Sequence, residues 1–223
     1  YTAAVKVQNI LVSVVSSLGG VLLPRMSYYV QRRDKQKFNT LMTTALNAAF
    51  FMSMPLCAYF VLEAKDSLTL LAGAEYISAT LTMQIINISV VAIGITSIIG
   101  IQVLTPINRE FQLMISVIVG SVSNFALNCF MIPKWGAAGA AFATMIAEYL
   151  VLAAQLFLGY DVVGEAFKHV RYARYGVATA VALAPTLALT FLPIANTLSR
   201  LVITSVVFFG IYLIILYGLH DTL

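Results

Sequence analysis

Long apolar segments alternate with short polar connections along the whole chain. Each apolar segment has roughly 20 residues, and a helix of that length spans about 30 Å, the thickness of the hydrocarbon core of a bilayer. The pattern predicts seven membrane-spanning helices, at residues 8–30, 38–62, 79–104, 111–132, 137–158, 175–191 and 201–218. The expected fold class is therefore an all-α, polytopic membrane protein.

The connections contain the residues that end helices. Thr105-Pro106 closes the third segment, and residues 133–136 place a proline, the lone tryptophan and a glycine between the fourth and the fifth. Residues 159–174 are too polar to span, yet they interleave aromatic with basic side chains. They are expected to form an amphipathic segment on the inner leaflet, with a solvated loop as the alternative.

Composition agrees with a membrane environment. Hydrophobic residues make up 61% of the 223 positions and charged residues 10%, with a mean hydropathy of +0.92. Soluble domains have about 45–50% apolar and about 25% charged residues. This balance excludes a soluble enzyme, a nucleic-acid-binding domain and a disordered tail, and it makes the lipid bilayer an expected partner.

The placement of the basic residues predicts the orientation. Cytoplasmic connections carry an excess of Lys and Arg. Assigning the first basic cluster to the cytoplasm puts eight such residues inside and three outside. Because the number of spans is odd, the chain would begin outside and end in the cytoplasm, at His220 and Asp221. The protein would be a multi-pass protein of the cell membrane. The inner set is Arg32, Arg33, Lys35, Lys37, Arg109, Lys168, Arg171 and Arg174, and the outer set is Lys65, Lys134 and Arg200.

Polar side chains recur at helical spacing on three of the expected spans. Polar groups are costly in hydrocarbon, so faces of this kind are candidate walls of a water-filled cavity that binds a polar solute. The alternative is that the amides and small residues hydrogen-bond and pack between helices. The candidate substrate-binding residues are Lys6 and Asn9 on the first span, Gln84, Asn87 and Gln102 on the third, and Asn124 and Asn128 on the fourth.

Charged residues inside or near the spans have two possible roles each. Glu148 lies about 12 residues past Gly136, roughly 18 Å along a helix, and is a candidate for proton coupling or a hydrogen-bonded packing residue. Arg25 follows Pro24 near the inner end of the first span. It either meets an anionic phosphate or extends to the headgroups, and Lys6 has the same two possibilities at the outer end.

Catalytic and metal-binding motifs are not found in the sequence. Cys57 and Cys129 lie in apolar segments without a second Cys or His nearby, and His169 and His220 have no partner at a known spacing. No catalytic residue, metal site or cofactor is expected, and the protein is not expected to be an enzyme.

Two stretches resemble a known family. SSLGGVLLPRMSYYVQRRDKQKF at residues 16–38 and IPKWGAAGAAFAT at residues 132–144, followed by Glu148, are similar to the Wzx-type polysaccharide flippases. These belong to the multidrug/oligosaccharidyl-lipid/polysaccharide exporter superfamily, and the resemblance implies two six-helix bundles that rock against each other around a site between them.

The resemblance also implies a domain organisation. Residues 1–158 would form five spans of the second bundle, residues 159–174 a cytoplasmic linker, and residues 175–223 two additional spans. The chain has no initiator Met and no recognisable signal peptide, so we expect it to be a piece of a longer protein whose first bundle is missing here.

The implied function is the flipping of a lipid-linked oligosaccharide across the membrane. The amide faces would hold the sugars while the lipid tail stays in the bilayer, and cations would meet the diphosphate. A multidrug exporter or a lipid II flippase of the same fold are alternatives, as are a membrane enzyme acting on lipid-linked sugars and an inactive truncated or accessory subunit.

Overall fold

The computed structural model describes residues 1–17, 19–191 and 196–219. His220 and Asp221, which were predicted to lie in the cytoplasm, are outside these ranges. Every regular element in these ranges is helical, which confirms the all-α prediction. The α-helices are α1 (Thr2–Ser16), α2 (Gly19–Gln31), α3 (Lys35–Leu62), α4 (Ala64–Leu71), α5 (Thr80–Ser97), α6 (Glu110–Leu158), α7 (Tyr160–Lys168), α8 (Tyr172–Thr190) and α9 (Thr197–Gly218).

Two short helices of other types flank α5. A 3₁₀ turn at Ala74–Ala79 precedes it, and a π-helical segment at Ile98–Leu104 continues it. A π-helix has i→i+5 bonds, and the Thr105 N–H donates to the Gly100 carbonyl over 3.3 Å in this way. The wider turn changes which side chains share a face beyond Ser97.

The 49-residue α6 is a hairpin of two span-length limbs. Its backbone breaks at Gly136, where φ is +53°, a conformation that glycine adopts without a steric penalty. The second limb returns antiparallel to the first, since a Cβ at Gly139 would overlap the carbonyl of Met131 and Asn124 reaches Thr144. The limbs, residues 110–135 and 137–158, correspond to the predicted fourth and fifth spans.

Five helical stretches of the described residues are long and apolar enough to cross a membrane. One is the hairpin, which supplies two crossings, and the others are Thr2–Gln31, Lys35–Leu62, Ala74–Leu104 and Thr197–Gly218. Helix α8, the predicted sixth span, is not among them, so the total of seven stays a prediction. The predicted first span begins earlier, at Thr2, and consists of α1 and α2.

Helices α3 and α5 form the centre of the bundle. Helix α5 packs against α1, α3 and α6, and α3 packs against α2, α7 and α8. Lipid tails are as apolar as leucine, so close packing stabilises such contacts more than the hydrophobic effect does. The side chains that fill the core here include Met42, Leu46, Ala49, Ile95 and Ile98, all buried.

Helices α8 and α9 pair with each other and pack on α3 and α4. The Tyr212 hydroxyl donates to the Phe51 carbonyl at 2.8 Å, and the Tyr59 hydroxyl donates to the Leu201 carbonyl at 2.9 Å. These bonds join α9, the second of the two predicted additional spans, to α3 in the core of the bundle. The division at residues 158 and 174 stays a prediction, and residues 160–168 within it form helix α7.

Basic connections meet at one end of the bundle. Arg33, Lys35 and Arg109 line a common pocket with Asp161, and Arg109 makes a two-pronged bond to that aspartate at 2.7 and 2.6 Å. This clustering is what the predicted orientation requires. Which side of the membrane this end faces stays a prediction.

Large apolar side chains cover much of the outer surface. Phe157 is 82% exposed and Ile214 is 71% exposed. A soluble protein rarely exposes contiguous apolar surface of this kind, whereas a bilayer solvates it. The surface therefore agrees with a multi-pass membrane protein.

Candidate functional site

A groove of about 660 Å³ lies between α5 and the two limbs of α6, with Ser16 of α1 at its edge. We call it the substrate groove. Its apolar floor comes from residues such as Ile93, Leu113 and Val117, and its polar wall from the described residues Thr96, Ser97, Ser121, Asn124, Asn128, Glu148 and Gln155. A mostly apolar pocket with a few polar groups is typical of ligand sites.

Hydrogen bonds hold the two asparagines of the groove in place. The Asn128 amide donates to Asn124 Oδ1 at 2.7 Å, one helical turn away, and the Asn124 amide donates to Thr144 Oγ1 at 3.3 Å. Asn128 Oδ1 is buried and has no partner among the described residues. The groove therefore contains a fixed amide pair with an acceptor left open for a ligand.

Glu148 faces the groove from the second limb of α6, one turn after Thr144. Its side chain is half-buried, and no hydrogen-bond or ion-pair partner is found for it in the described part of the chain. An unpaired carboxyl group at membrane depth is costly and marks a functional position more often than a structural one. Whether Glu148 is a coupling group or a hydrogen-bonded packing residue stays a prediction.

Glycines bring the helices of the groove together. A methyl group at Gly120 would overlap Val151 of the opposite limb, and one at Gly100 would meet the Gln155 amide at 2.8 Å. Gly120 thus allows close packing of the two limbs, and it lines the groove one and two helical turns before Asn124 and Asn128.

Candidates on the first two helices lie outside the groove. Lys6 and Asn9 are exposed on α1, and Arg25 is exposed on α2. Neither Lys6 nor Arg25 has an ion-pair or hydrogen-bond partner within the described residues. Only Ser16 of the polar face of α1 reaches the groove, so contact of these cations with a phosphate stays a prediction.

The candidate residues on α5 and on the π-helical segment after it do not line the groove, although the sequence predicted that they form a cavity wall. Gln84 donates to the Val61 carbonyl of α3 at 3.2 Å, Asn87 has no exposed surface, and Gln102 is buried with its amide beside Gly19. Helix α5 is surrounded by other helices, so its polar face meets protein. The π-helical segment also moves Gln102 out of the register that a 3.6-residue turn predicts.

Comparison with known proteins assigns the family. A family model described as "Lipid II flippase MurJ" matches residues 1–209. The chain belongs to the MurJ family of lipid II flippases. Flippases are transporters, so family membership agrees with a protein that is not an enzyme.

Two relatives and one solved structure extend the match. An uncharacterized membrane protein of Methanocaldococcus jannaschii is 24% identical over 211 residues, which cover 95% of this chain and 41% of that protein. A probable lipid II flippase MurJ of Treponema pallidum is 25% identical over 153 residues, 65% of this chain and 29% of that protein. A structure titled "Lipid II flippase MurJ, inward closed conformation" has the same fold, with a TM-score of 0.79 at 18% identity.

This MurJ-family chain spans less than half the length of the proteins it matches. The solved MurJ structure covers 98% of the chain, which in turn covers 47% of that structure. The predicted superfamily is therefore confirmed, but the predicted Wzx-type branch is not supported. The lipid II flippase that the sequence left as an alternative fits better.

Two glutamines of this MurJ-family chain were not predicted from the sequence, one in the groove and one that joins two helices. Gln155 is 2% exposed, lines the groove and has an unpartnered Oε1. It follows Glu148 by seven residues, about two helical turns, so the spacing could have revealed it. Gln8 donates to Ser89 Oγ at 2.6 Å and ties α1 to α5.

The groove of this MurJ-family chain has the chemistry of a binding site. It offers amides, hydroxyls and one carboxyl group. Across the described residues, no group of three or more His, Cys, Asp or Glu side chains is arranged to hold a metal ion.

Proposed function

We propose that this chain forms the groove-bearing half of a flippase that moves a lipid-linked saccharide across the cell membrane. The observation that carries the proposal is the substrate groove itself. It places the unpartnered amide oxygens of Asn128 and Gln155 and the carboxyl group of Glu148 at membrane depth, inside a bundle whose outer surface is apolar.

The chemistry of the groove suits the head of such a lipid. Sugar hydroxyls both donate and accept hydrogen bonds, as side-chain amides do. A head held by Asn124 and Asn128 leaves the hydrocarbon tail in the bilayer. The exposed polar face of α1, with Lys6 and Asn9, continues from the edge of the groove at Ser16 and widens the polar surface.

Lipid II is the preferred substrate of the proposal, because the matching family and the relative from Treponema pallidum are named for it. The lipid-linked repeat unit of a polysaccharide, the substrate first inferred from the sequence, is the second candidate, since it shares the diphosphate and the sugars. At least one of the two cations, Arg25 near the inner end of the first span or Lys6 near its outer end, is the proposed contact of the diphosphate through charge-assisted bonds.

A transport cycle by alternating access follows from this arrangement. The second wall of the cavity would come from the remaining half of the full-length protein, which the solved relative contains. Protonation of Glu148 would couple the rocking of the halves to an ion gradient. The basic end of the bundle, and with it the C-terminus, would face the cytoplasm.

Translocation in liposomes tests the proposal. The full-length protein would be reconstituted with dye-labelled lipid II in one sample and a dye-labelled, diphosphate-linked oligosaccharide in another. A membrane-impermeant quencher then reports the outer pool. A protein-dependent fall in the fraction of lipid II that is protected from the quencher supports the proposal. Preferential movement of the oligosaccharide would assign the second substrate, and movement of neither would contradict flipping.

A further inference from the structure

A second polar pocket lies at the basic end of the bundle, between α3, α7 and the start of α8. It has a volume of about 860 Å³ and shares no lining residue with the substrate groove. We call it the α3–α7 pocket. Its lining residues include Gln36, Asn39, Thr40, Thr43, Thr44 and Asn47 on one side and Glu165, His169, Arg171 and Tyr175 on the other.

The α3 wall is a stripe of hydrogen-bond acceptors. The hydroxyl groups of Thr40, Thr43 and Thr44 each donate to the carbonyl four residues earlier, at 2.9 to 3.0 Å. A hydroxyl has one hydrogen and two lone pairs, so these three oxygens can only accept bonds from a ligand. Asn47 closes the inner end, where its Oδ1 accepts from the Arg171 backbone N–H at 2.9 Å.

The α7 wall adds further acceptors. His169 Nδ1 lies 2.9 Å from the Glu165 carbonyl, which can only accept, so Nδ1 carries a hydrogen and donates it to this carbonyl. The Glu165 side chain is exposed and supplies a carboxylate without a partner among the described residues. The pocket is therefore rich in acceptors, and its lining contains one acidic side chain, Glu165, and one basic side chain, Arg171.

The position of the pocket indicates a ligand that lies at the membrane surface. Asn47 is about 12 residues into α3, roughly 18 Å along the helix. Its side chain contacts Arg171 in the connection between α7 and α8, so the pocket lies at the end of the bundle. Helix α7 ends at Lys168, and Arg174 lies at the start of α8. The basic flank of the pocket is Arg171, which belongs to its lining and lies between these two residues in the chain.

We propose that the α3–α7 pocket binds the primary ammonium headgroup of an aminophospholipid. The ammonium group has three hydrogens to donate and a positive charge, which match the threonine oxygens and the Glu165 carboxylate. The phosphate of the same headgroup meets the basic flank. The inference rests on this pocket alone and is independent of the proposed flippase function.

Headgroups of other chemistry fit less well. A quaternary ammonium has no N–H to donate to the three threonine oxygens. An anionic headgroup without an amine would face the lone pairs of Thr40, Thr43 and Thr44 and the negative charge of Glu165. The pocket thus predicts a preference for phosphatidylethanolamine over phosphatidylcholine, two lipids that differ only in the methylation of the amine.

Lipid binding by the purified protein tests this preference. Native mass spectrometry with equal amounts of the two lipids should show phosphatidylethanolamine retained about tenfold better, the effect of one charge-assisted bond of about 1.4 kcal/mol. Glu165→Gln should remove most of the preference. Thr40→Val, which keeps the shape and deletes one acceptor, should reduce it about threefold.

Matched controls lie elsewhere on the surface. Glu110→Gln changes an exposed carboxylate at the start of α6, and Thr69→Val deletes a hydroxyl on α4 that donates to Lys65 in the same way. Both should leave the preference unchanged. If soluble phosphoethanolamine displaced the bound lipid as strongly as phosphatidylethanolamine does, the site would be assigned to a free amine. Equal retention of the two lipids, a preference for phosphatidylglycerol, or a full preference in Glu165→Gln and Thr40→Val would overturn the proposal.

Discussion

Amide side chains in this bundle are of two kinds, half-buried ones in the groove and fully buried ones in the packing core. Asn124 bonds Thr144 and Asn128 at the wall of the groove, whereas Asn87 is fully buried and neither of its polar side-chain atoms has a partner in the described structure. An unpartnered buried amide contributes no hydrogen bond that a substitution can remove.

Alanine at Asn124 should therefore impair transport, whereas alanine at Asn87 should not. Asn124→Ala removes the amide that orients Asn128 and should lower translocation of lipid II about fivefold, the effect of losing about 1 kcal/mol. Asn87→Ala should leave translocation within about twofold of the original rate. The measurement is the liposome assay at matched protein levels. Equal losses for both variants would mean that the asparagines act through packing.

Glu63 is a buried acidic residue outside the membrane-spanning part of α3. It lies between α3 and α4, is 3% exposed, and its Oε1 has no partner in the described structure. Burial raises the pKa of this carboxyl, and the positive charge of Arg200 opposes the rise. The folded state therefore holds the proton more tightly than the unfolded state does.

Stability should depend on pH through Glu63. Its contribution is full below the ordinary pKa of a glutamate and is lost as the pH rises through the raised pKa of the folded state. Glu63→Gln should thus raise the melting temperature at pH 8 by about 2–4 °C. The gain should disappear near pH 4. Glu75→Gln, at an exposed position, is the control, and a gain that persists at low pH would contradict the assignment.

At the level of elements, the turn before α6 and helix α7 are joined by one ion pair. Arg109 and Asp161 form a two-pronged contact, and the bond from Arg109 lowers the pKa of the Asp161 carboxyl. A lowered carboxyl pKa stabilises the folded state above the ordinary aspartate pKa, and this contribution is lost as the pH falls. Both side chains are partly exposed, so the pair contributes at most about 1 kcal/mol.

Loss of this pair should loosen α7 without unfolding the bundle. In Asp161→Asn, amide hydrogen exchange should become faster in residues 160–168 and stay unchanged in α3 and α5. Asp34→Asn, at another acidic position of the same pocket, should leave exchange in α7 as it is. Unchanged exchange in Asp161→Asn would show that α7 is held by packing of Val163 and Ala166 alone.

Apolar runs and helix breakers were enough to predict most elements. The break at Gly136 falls where proline and glycine interrupt the sequence, and the limbs of α6 match two predicted spans. Groove residues on α6 followed from a spacing of four. The surroundings of the polar face of α5 could not be predicted in this way. Periodicity shows that Gln84 and Asn87 share a side of the helix, but it does not show which neighbouring helix covers that side. The π-helical segment before Thr105 has no sequence signal that we recognised.

For the whole molecule, orientation is the property that most affects the mechanism. The basic connections gather at one end, while Asp66 and Arg200 form an ion pair of 3.1 Å between α4 and α9 away from that end. The positive-inside rule then places Lys35 in the cytoplasm and Lys65 outside.

Cysteine labelling tests this orientation. In a background without Cys57 and Cys129, Lys65→Cys should react with an impermeant maleimide added to intact cells, and Lys35→Cys should react only after the cells are opened. Both side chains are exposed, so reactivity reports the side of the membrane. The reverse pattern would invert the proposed topology.

The central claim is that the substrate groove holds the head of a lipid-linked saccharide. Its most direct test is photocross-linking of labelled lipid II to the full-length protein carrying a photoreactive residue at position 128, in the groove, or at position 214, on the apolar surface. The account predicts strong cross-linking from position 128, competed by unlabelled lipid II, and only weak, non-competed cross-linking from position 214. Equal cross-linking from both positions, or none from position 128, would contradict it.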